Sequence, residues 1–337
     1  MTSRARSEPG ATGACLYCGG DDLVPFVSGV RDRAAVVPGE FAFDRCTRCD
    51  SAMLSPVPRA EDLPGYYPEV YSFAPELATG WRRRLAEFEY QAFYRPSYRA
   101  EARTIDRYCR RSNPARGKVL DIGCGRALRL LEFRRLGYDV HGCDFQPLSV
   151  DYLNSKLGIP AKQGDVSRVD GLYAPESFDV VTAFHVIEHL LDIGRLLRGC
   201  HSILKPGGVM VVCIPLADSI QARVLGRKWA GFTEAPRHIA LPSRKGLTGL
   251  CAGAGFEAGS IEFCADDVRS CAAEAALSLV PASATGPTYG SARFAATLHR
   301  ALGAAALAAC VPWAFIDNHV FRRPAHGIVM ARKRGKI

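Results

Sequence analysis

The chain has 337 residues, 48% hydrophobic and 23% charged, with a formal net charge of +9. That composition excludes a disordered or collagen-like chain and leaves room for one core domain plus an accessory module. No run approaches the roughly twenty apolar residues that span a bilayer, and residues 1–14 are polar and Gly-rich without the apolar stretch of a secretory signal. A cytoplasmic protein with a disordered start is the expectation. The positive charge is local, in the stretch Arg82 to Lys118 and in a tail of Arg332, Lys333, Arg334 and Lys336. Such patches suit nucleic acid, anionic lipid or phosphorylated small molecules, and equally suit a solvated surface.

Residues 15–55 carry two knuckles, Cys15-Leu-Tyr-Cys18 and Cys46-Thr-Arg-Cys49, about 27 residues apart. Each small loop lets two thiolates face one ion, so the pair predicts a zinc ribbon. A redox pair is the rival, and one ion explains two matched knuckles better. Four protein thiolates leave no open position, which makes the predicted zinc structural. The nine remaining cysteines lie singly in apolar surroundings and read as small buried hydrophobes of a reducing compartment.

Residues 56–110 read as a Pro- and Tyr-rich connector followed by helices. Within them Arg82, Arg83, Arg84, Arg95, Arg99, Arg103 and Arg107 alternate with Phe88, Tyr90, Phe93, Tyr94 and Tyr98. That interleaving is one signature of a nucleic-acid surface, and also that of an amphipathic helix laid on a core, the preferred reading.

A core over residues 111–264 begins with KVLDIGCGRALRLL, Lys118 to Leu131: a buried strand, a bend at Gly123 and Gly125, and a helix. Asp121 stands at the lip where open α/β sheets bind ligands. A dinucleotide site wants a small residue at the sixth position of G-x-G-x-x-G, and here that position is Leu128. A second strand ends in Asp144, about twenty residues after the glycines. A carboxylate there can accept from both ribose hydroxyls of a nucleoside, with a helix cap as the alternative. A helix near Leu148 to Leu157, the pair Gly164-Asp165, a strand Ser177 to Phe184 and Leu204-Lys-Pro-Gly-Gly feeding a Val-rich strand to Pro215 complete the series.

Taken together, these landmarks resemble the class I S-adenosylmethionine-dependent methyltransferases. Asp121, Gly123 and Gly125 fit the family's acidic-x-Gly-x-Gly-x-Gly motif, and Ala127 replaces the last glycine. The resemblance implies an α/β, Rossmann-like seven-stranded sheet, mostly parallel with its last strand antiparallel. It also implies S-adenosylmethionine held by Asp121, Gly123, Gly125 and Asp144, with Asp165 near the adenine amino group.

His185-Val-Ile-Glu188-His189 follows the fourth strand and has three readings. H-x-x-E-H is an inverzincin protease signature, but its place directly after a strand argues against it. It is similar to the E-x-x-E-H of quinone-pathway O-methyltransferases, which suggests a divalent metal, except that His185 replaces the first Glu. The preferred reading has His185 touching cofactor or substrate while Glu188 and His189 brace the next helix. Downstream, Trp229, Glu234 and Arg237 are expected to shape an acceptor site, and His238 joins His185 as a candidate base. The P-R-H stretch and the connector before the core are similar to those of sugar and natural-product methyltransferases carrying a zinc ribbon.

Residues 265–325 form a helical insertion whose apolar run Ala301 to Cys310 is flanked by arginines, read as a buried hairpin or as a membrane-surface element. Residues 326–337 supply the last strand and the basic tail. The expected function is methylation, at oxygen or carbon, of a nucleotide-linked sugar, glycan or natural-product intermediate, free or lipid-linked. An RNA methyltransferase and a non-catalytic cofactor-binding scaffold are the alternatives.

Overall fold

The computed structural model describes residues 13–67, 80, 84, 87–88, 90–111, 115–264, 268–279, 305–306 and 308–334. Most of the N-terminal segment, the connector beyond Tyr67, Trp81 to Arg83 and most of the second Ala-rich pattern lie outside the described residues.

The chain opens with three antiparallel strands, β1 (Leu23–Val30), β2 (Phe41–Cys46) and β3 (Ala52–Ser55). Phe43 pairs with Leu54 across β2 and β3, and both bury against Val30, Trp229 and Phe232. Helix α1 (Arg95–Arg110) follows. Its buried Ser97, Glu101, Ile105 and Tyr108 recur every three or four residues, while Arg99, Arg103, Arg107 and Arg110 face solvent. One face of the helix thus lies on the core, while Phe88 and Tyr94 of the Arg-aromatic stretch are exposed.

The core alternates β4 (Lys118–Ile122), α2 (Leu128–Arg135), β5 (Asp139–Asp144), α3 (Pro147–Tyr152), β6 (Ala161–Gln163), β7 (Phe178–Phe184), α4 (Ile193–Ile203) and β8 (Leu204–Pro215). Then come α5 (Ile220–Leu225), α6 (Ala230–Thr233), β9 (Ala240–Leu241), α7 (Arg244–Gly253), β10 (Phe256–Cys264), α8 (Val268–Leu279) and β11 (His326–Lys333). Seven strands lie in the order β10-β11-β8-β7-β4-β5-β6. The five from β8 to β6 are parallel, and β11 runs antiparallel to both neighbours. Successive residues of β4 feed opposite layers, Val119 meeting Leu130 and Phe133 while Leu120 meets Val181 and Leu196. The chain leaves β4 toward β5 and β6 and then crosses to β7 on the other side, so a crevice opens at the carboxyl ends of β4, β5 and β7.

The ribbon sheet does not end at residue 55. Its fourth strand is β9, from the loop after β8, with Met53 opposite Ala240. Cys15, Cys46 and Cys49 share a buried cluster with Leu247 and Cys251 of α7. In the insertion, α8 packs through Cys271 and Ala275 on Cys310, Ala314 and Ala325. Among the described residues no helix is long and apolar enough to cross a membrane.

Candidate active site

The carboxyl end of β4 enters a left-handed bend, with φ of +65° at Gly123, +47° at Gly125 and +58° at Ala127. A Cβ on Gly123 would come within 2.7 Å of Val186, so both the turn and the close approach require glycine. Ala127 takes the third left-handed position as the residue before α2, at about 1 kcal/mol relative to glycine. Beside the bend lies a cleft of about 220 Å³ lined by Tyr98, Asp121, Gly123, Arg126, Arg129 and Phe184 among others.

Asp121 is buried and its Oδ1 accepts the Thr182 hydroxyl at 2.7 Å. Burial pushes its carboxyl up to about 7, with the Thr182 hydrogen bond and Arg129 opposing. Asp144, also buried and raised by it, accepts the amides of Gly125 and Gln146, both at 2.9 Å. The carboxylate thus braces the glycine bend. Phe145, the next residue, leaves half its ring exposed. Asp165 caps a short 3-10 turn instead, accepting the Ser167 amide at 2.9 Å and hydroxyl at 2.7 Å through one oxygen.

Arg129 donates to Glu101 at 2.8 Å and lies over the rings of Tyr98 and Phe184, at 4.2 and 4.7 Å. Tyr98, Arg129 and Phe184 therefore form one wall of the cleft, with buried Glu101 holding the guanidinium from behind. Sequence reasoning did not single out Arg129 or Phe145. Neither carries a local motif, and only the packing of α1 on α2 and the exposure of the residue after β5 disclose them.

His185 leaves β7 in a left-handed conformation, φ +56°, unusual for a residue with a side chain. Its amide donates to Cys213 and its Nδ1 lies 3.3 Å from Glu188 Oε1. Its ring meets that of His326, the first residue of β11, edge to face at 5.1 Å. The side chain is one-third exposed, just beyond the carboxyl end of β7. Glu188 is fully buried. His189 and His238 meet edge to face behind it with ring centres 4.9 Å apart, and burial pulls each imidazole down to about 4, which keeps both neutral.

The remaining expected acceptor residues sit elsewhere. Trp229 is fully buried in the ribbon-facing cluster against Phe43 and Phe232. Arg237 is equally buried and forms a two-pronged ion pair with Asp32 at 2.6 and 3.2 Å, with Glu234 as its second partner at 3.0 Å. Burial works against ionising Asp32, yet the Arg237 hydrogen bonds hold its carboxyl below the usual range. Trp229 and Arg237 tie the loop to the ribbon. His238 donates from Nδ1 to the Gly231 carbonyl at 2.7 Å and is nearly inaccessible, which removes it as a base.

The four ribbon cysteines form a second centre. Cys15 and Cys49 sulfurs are 3.5 Å apart, as are those of Cys18 and Cys46, and all four lie within 4.8 Å of one another. Thiolates at zinc bond length in a tetrahedron stand roughly 3.8 Å apart, so the set could close on such an ion with small adjustments. The Cys15 contact pulls the Cys49 thiol down to about 5 against burial and pushes Cys15 up, as two sulfurs sharing one proton must.

A family profile described as "Methyltransferase domain" matches residues 88–260. The ubiquinone biosynthesis O-methyltransferase of Bradyrhizobium sp. (strain ORS 278) is 35% identical over 143 residues, covering 40% of this chain and 51% of that protein. The chain spans about half the length of the curated relatives it matches. Among solved structures, a SAM-dependent methyltransferase from Archaeoglobus fulgidus shares 18% identity over 73% of this chain and 98% of its own, with a TM-score of 0.42. An amino pentose methyltransferase from Micromonospora echinaspora shares 21% over 40% and 57%, with a TM-score of 0.33. The profile match takes in more than half of the 337 residues and contains β4 to β9 with the whole glycine bend, so the chain belongs to the class I S-adenosylmethionine-dependent methyltransferase family.

Proposed function

We propose that the chain is an S-adenosylmethionine-dependent methyltransferase acting on a hydroxyl of a small-molecule acceptor, a nucleotide-linked sugar, glycan or natural-product intermediate. The observation that carries the reading is the hydrogen bond joining Gly125, in the glycine bend, to Asp144 at the end of β5. One carboxylate fixes the bend and faces the place where a ribose would lie. Gly123 admits the ligand backbone-close, Asp121 and Asp144 supply acceptors, and Phe145 offers a half-exposed ring to a purine. Asp165 keeps one oxygen outside its cap and contributes from the edge.

When bound, the cofactor supplies a methyl group on a positively charged sulfur that is itself a good leaving group. The chain must then align the acceptor and remove one proton. His185 is the group placed for this: at the end of β7, partly exposed, with its Nδ1 held toward Glu188. Glu188 orients the ring. The O-methyltransferase names of the curated relatives support oxygen as the acceptor atom.

The four ribbon cysteines hold a structural zinc. The zinc knuckles adjoin the loop they brace: Tyr17, inside the first knuckle, donates to the Ala240 carbonyl at 3.1 Å. The exposed Phe315, Ile316, Val320 and Phe321, followed by Arg322 and Arg323, support a contact with an anionic membrane surface and a lipid-linked acceptor.

The test is transfer of labelled methyl from S-adenosylmethionine into a whole-cell extract separated into small-molecule, lipid and RNA fractions. Label in the first or second supports the reading. Label confined to RNA, or no transfer to any fraction, sinks it.

A further inference from the structure

A groove of about 520 Å³ runs between the two cysteine knuckles, α4 and α7, and shares no residue with the cofactor cleft. Arg48 enters it from the second knuckle, Arg198 from α4 and Lys245 from α7, and among the described residues no carboxylate lines it. Two of the three cations are tethered to backbone. Arg48 Nη2 donates to the Cys18 carbonyl at 2.5 Å, and Lys245 Nζ donates to the Arg48 carbonyl at 2.7 Å. Each keeps further N–H donors for a ligand, since a guanidinium carries five and an ammonium three. Arg198 follows Gly194 by one helical turn, and its Nη1 lies 3.1 Å from where a Cβ on Gly194 would stand. The bare glycine thus lets the guanidinium lie over the first turn of α4. Asp192, beside the same turn, caps α4 through the Arg195 amide. On α7, Gly249 and Gly253 are one turn apart and exposed, and a Cβ on either would meet nothing within 4 Å. With the partly exposed Leu250 they form a low apolar wall.

We propose that this groove binds a nucleoside diphosphate, the three cations taking the phosphates and the glycine wall of α7 the base. Three like charges around a groove without an acid raise its potential and draw in a polyanion. Arg48 and Arg198 offer planar forks that match phosphate oxygens in pairs, and Lys245 adds a point charge. The volume decides between a bare diphosphate and a larger anion. About 520 Å³ lies in the range of sites that enclose whole small molecules, and two phosphate groups would fill only a small part of it. A planar base is the apolar group that a wall without β-carbons admits at close range. Because the groove and the Asp121–Asp144 crevice have no residue in common, the nucleotide is held in addition to the cofactor. This second site goes beyond the proposed methyl transfer and does not depend on it.

The experiment is calorimetric titration of the full chain with UDP, CDP and GDP, and separately with inorganic pyrophosphate, in saturating S-adenosylhomocysteine so that the crevice is filled. The expected result is one site per chain for at least one of the nucleotides, bound at least about tenfold more tightly than pyrophosphate and weakened by added salt. Arg198→Ala and Lys245→Ala should each lower that affinity about tenfold or more, the loss of a charge-assisted hydrogen bond to phosphate. Arg48 stands between two ribbon cysteines and is left unaltered. Gly249→Leu tests the base: the position is exposed, within α7 and surrounded by open space, so the variant should keep its thermal midpoint or raise it. It should weaken the nucleotide at least about tenfold and leave pyrophosphate unchanged. No binding of any of the three nucleotides, or pyrophosphate bound as tightly as they are, overturns the proposal. Unchanged nucleotide affinity in Arg198→Ala or in Gly249→Leu overturns it as well. Methyl transfer that persists alongside such a result would leave the proposed function standing and remove this site alone.

Discussion

Asp121→Asn is expected to stabilise the protein at neutral and alkaline pH while weakening its cofactor site. The carboxyl is pushed from 3.8 to about 7, chiefly by burial. Below pH 4 it is protonated whether the chain is folded or not, and it contributes nothing. Between pH 4 and 7 the unfolded chain releases this proton and the folded one keeps it, so stability falls as pH rises. Above 7 both forms are ionised and the penalty is constant. Three units at 1.36 kcal/mol each set it at about 4 kcal/mol, an upper bound. The amide keeps the Thr182 hydrogen bond and never ionises, although its NH₂ group needs a partner, so a net gain of about 2–3 kcal/mol at pH 8 is expected. Urea unfolding of both proteins at pH 5, 6, 7 and 8 measures it. Asp144 titrates in both and largely cancels in the difference. The stability difference should grow toward the variant from pH 5 to 8. A difference that stays flat would refute the reasoning, because burial would then not be what governs Asp121.

Breaking the buried ion pair by Asp32→Ala should cost about 3–5 kcal/mol in chemical denaturation, since Arg237 is left charged in the interior; a loss under 1 kcal/mol would mean that the pair is hydrated. His185→Ala should lower kcat about 10²–10⁴-fold without changing cofactor affinity, measured by methyl transfer alongside calorimetric titration. Stripping the ribbon ion with a chelator should lower the thermal midpoint, and Zn²⁺ but not Mg²⁺ should restore it; an unchanged midpoint would show that the four thiolates need no ion.

What could be read from the sequence was what is local in it. Gly123, Gly125 and Asp121 sit in one turn, and Asp144 follows at a spacing set by one helix and one strand. The paired knuckles announce four converging sulfurs. What stayed hidden depends on contacts between distant residues. Asp32 and Arg237 are 205 positions apart, so nothing near Arg237 says that its guanidinium is buried rather than offered to a substrate. Trp229 had the same ambiguity, since a large aromatic in a loop can line a site or fill a core, and the ribbon strands against it decide. β9 is two residues long and has no strand signature of its own; it exists because β3 presents an open edge to Ala240. His238 drew notice as a base for its type, and its neighbours Gly231 and Glu188 give it a different place.

The most direct measurement of the central claim is calorimetric titration of S-adenosylhomocysteine into the unaltered chain and into Asp144→Asn. The account predicts one site per chain, weakened at least about tenfold in the variant because ribose and the Gly125 amide lose their shared carboxylate. Absence of binding to the unaltered chain, or equal affinity in both, would contradict it.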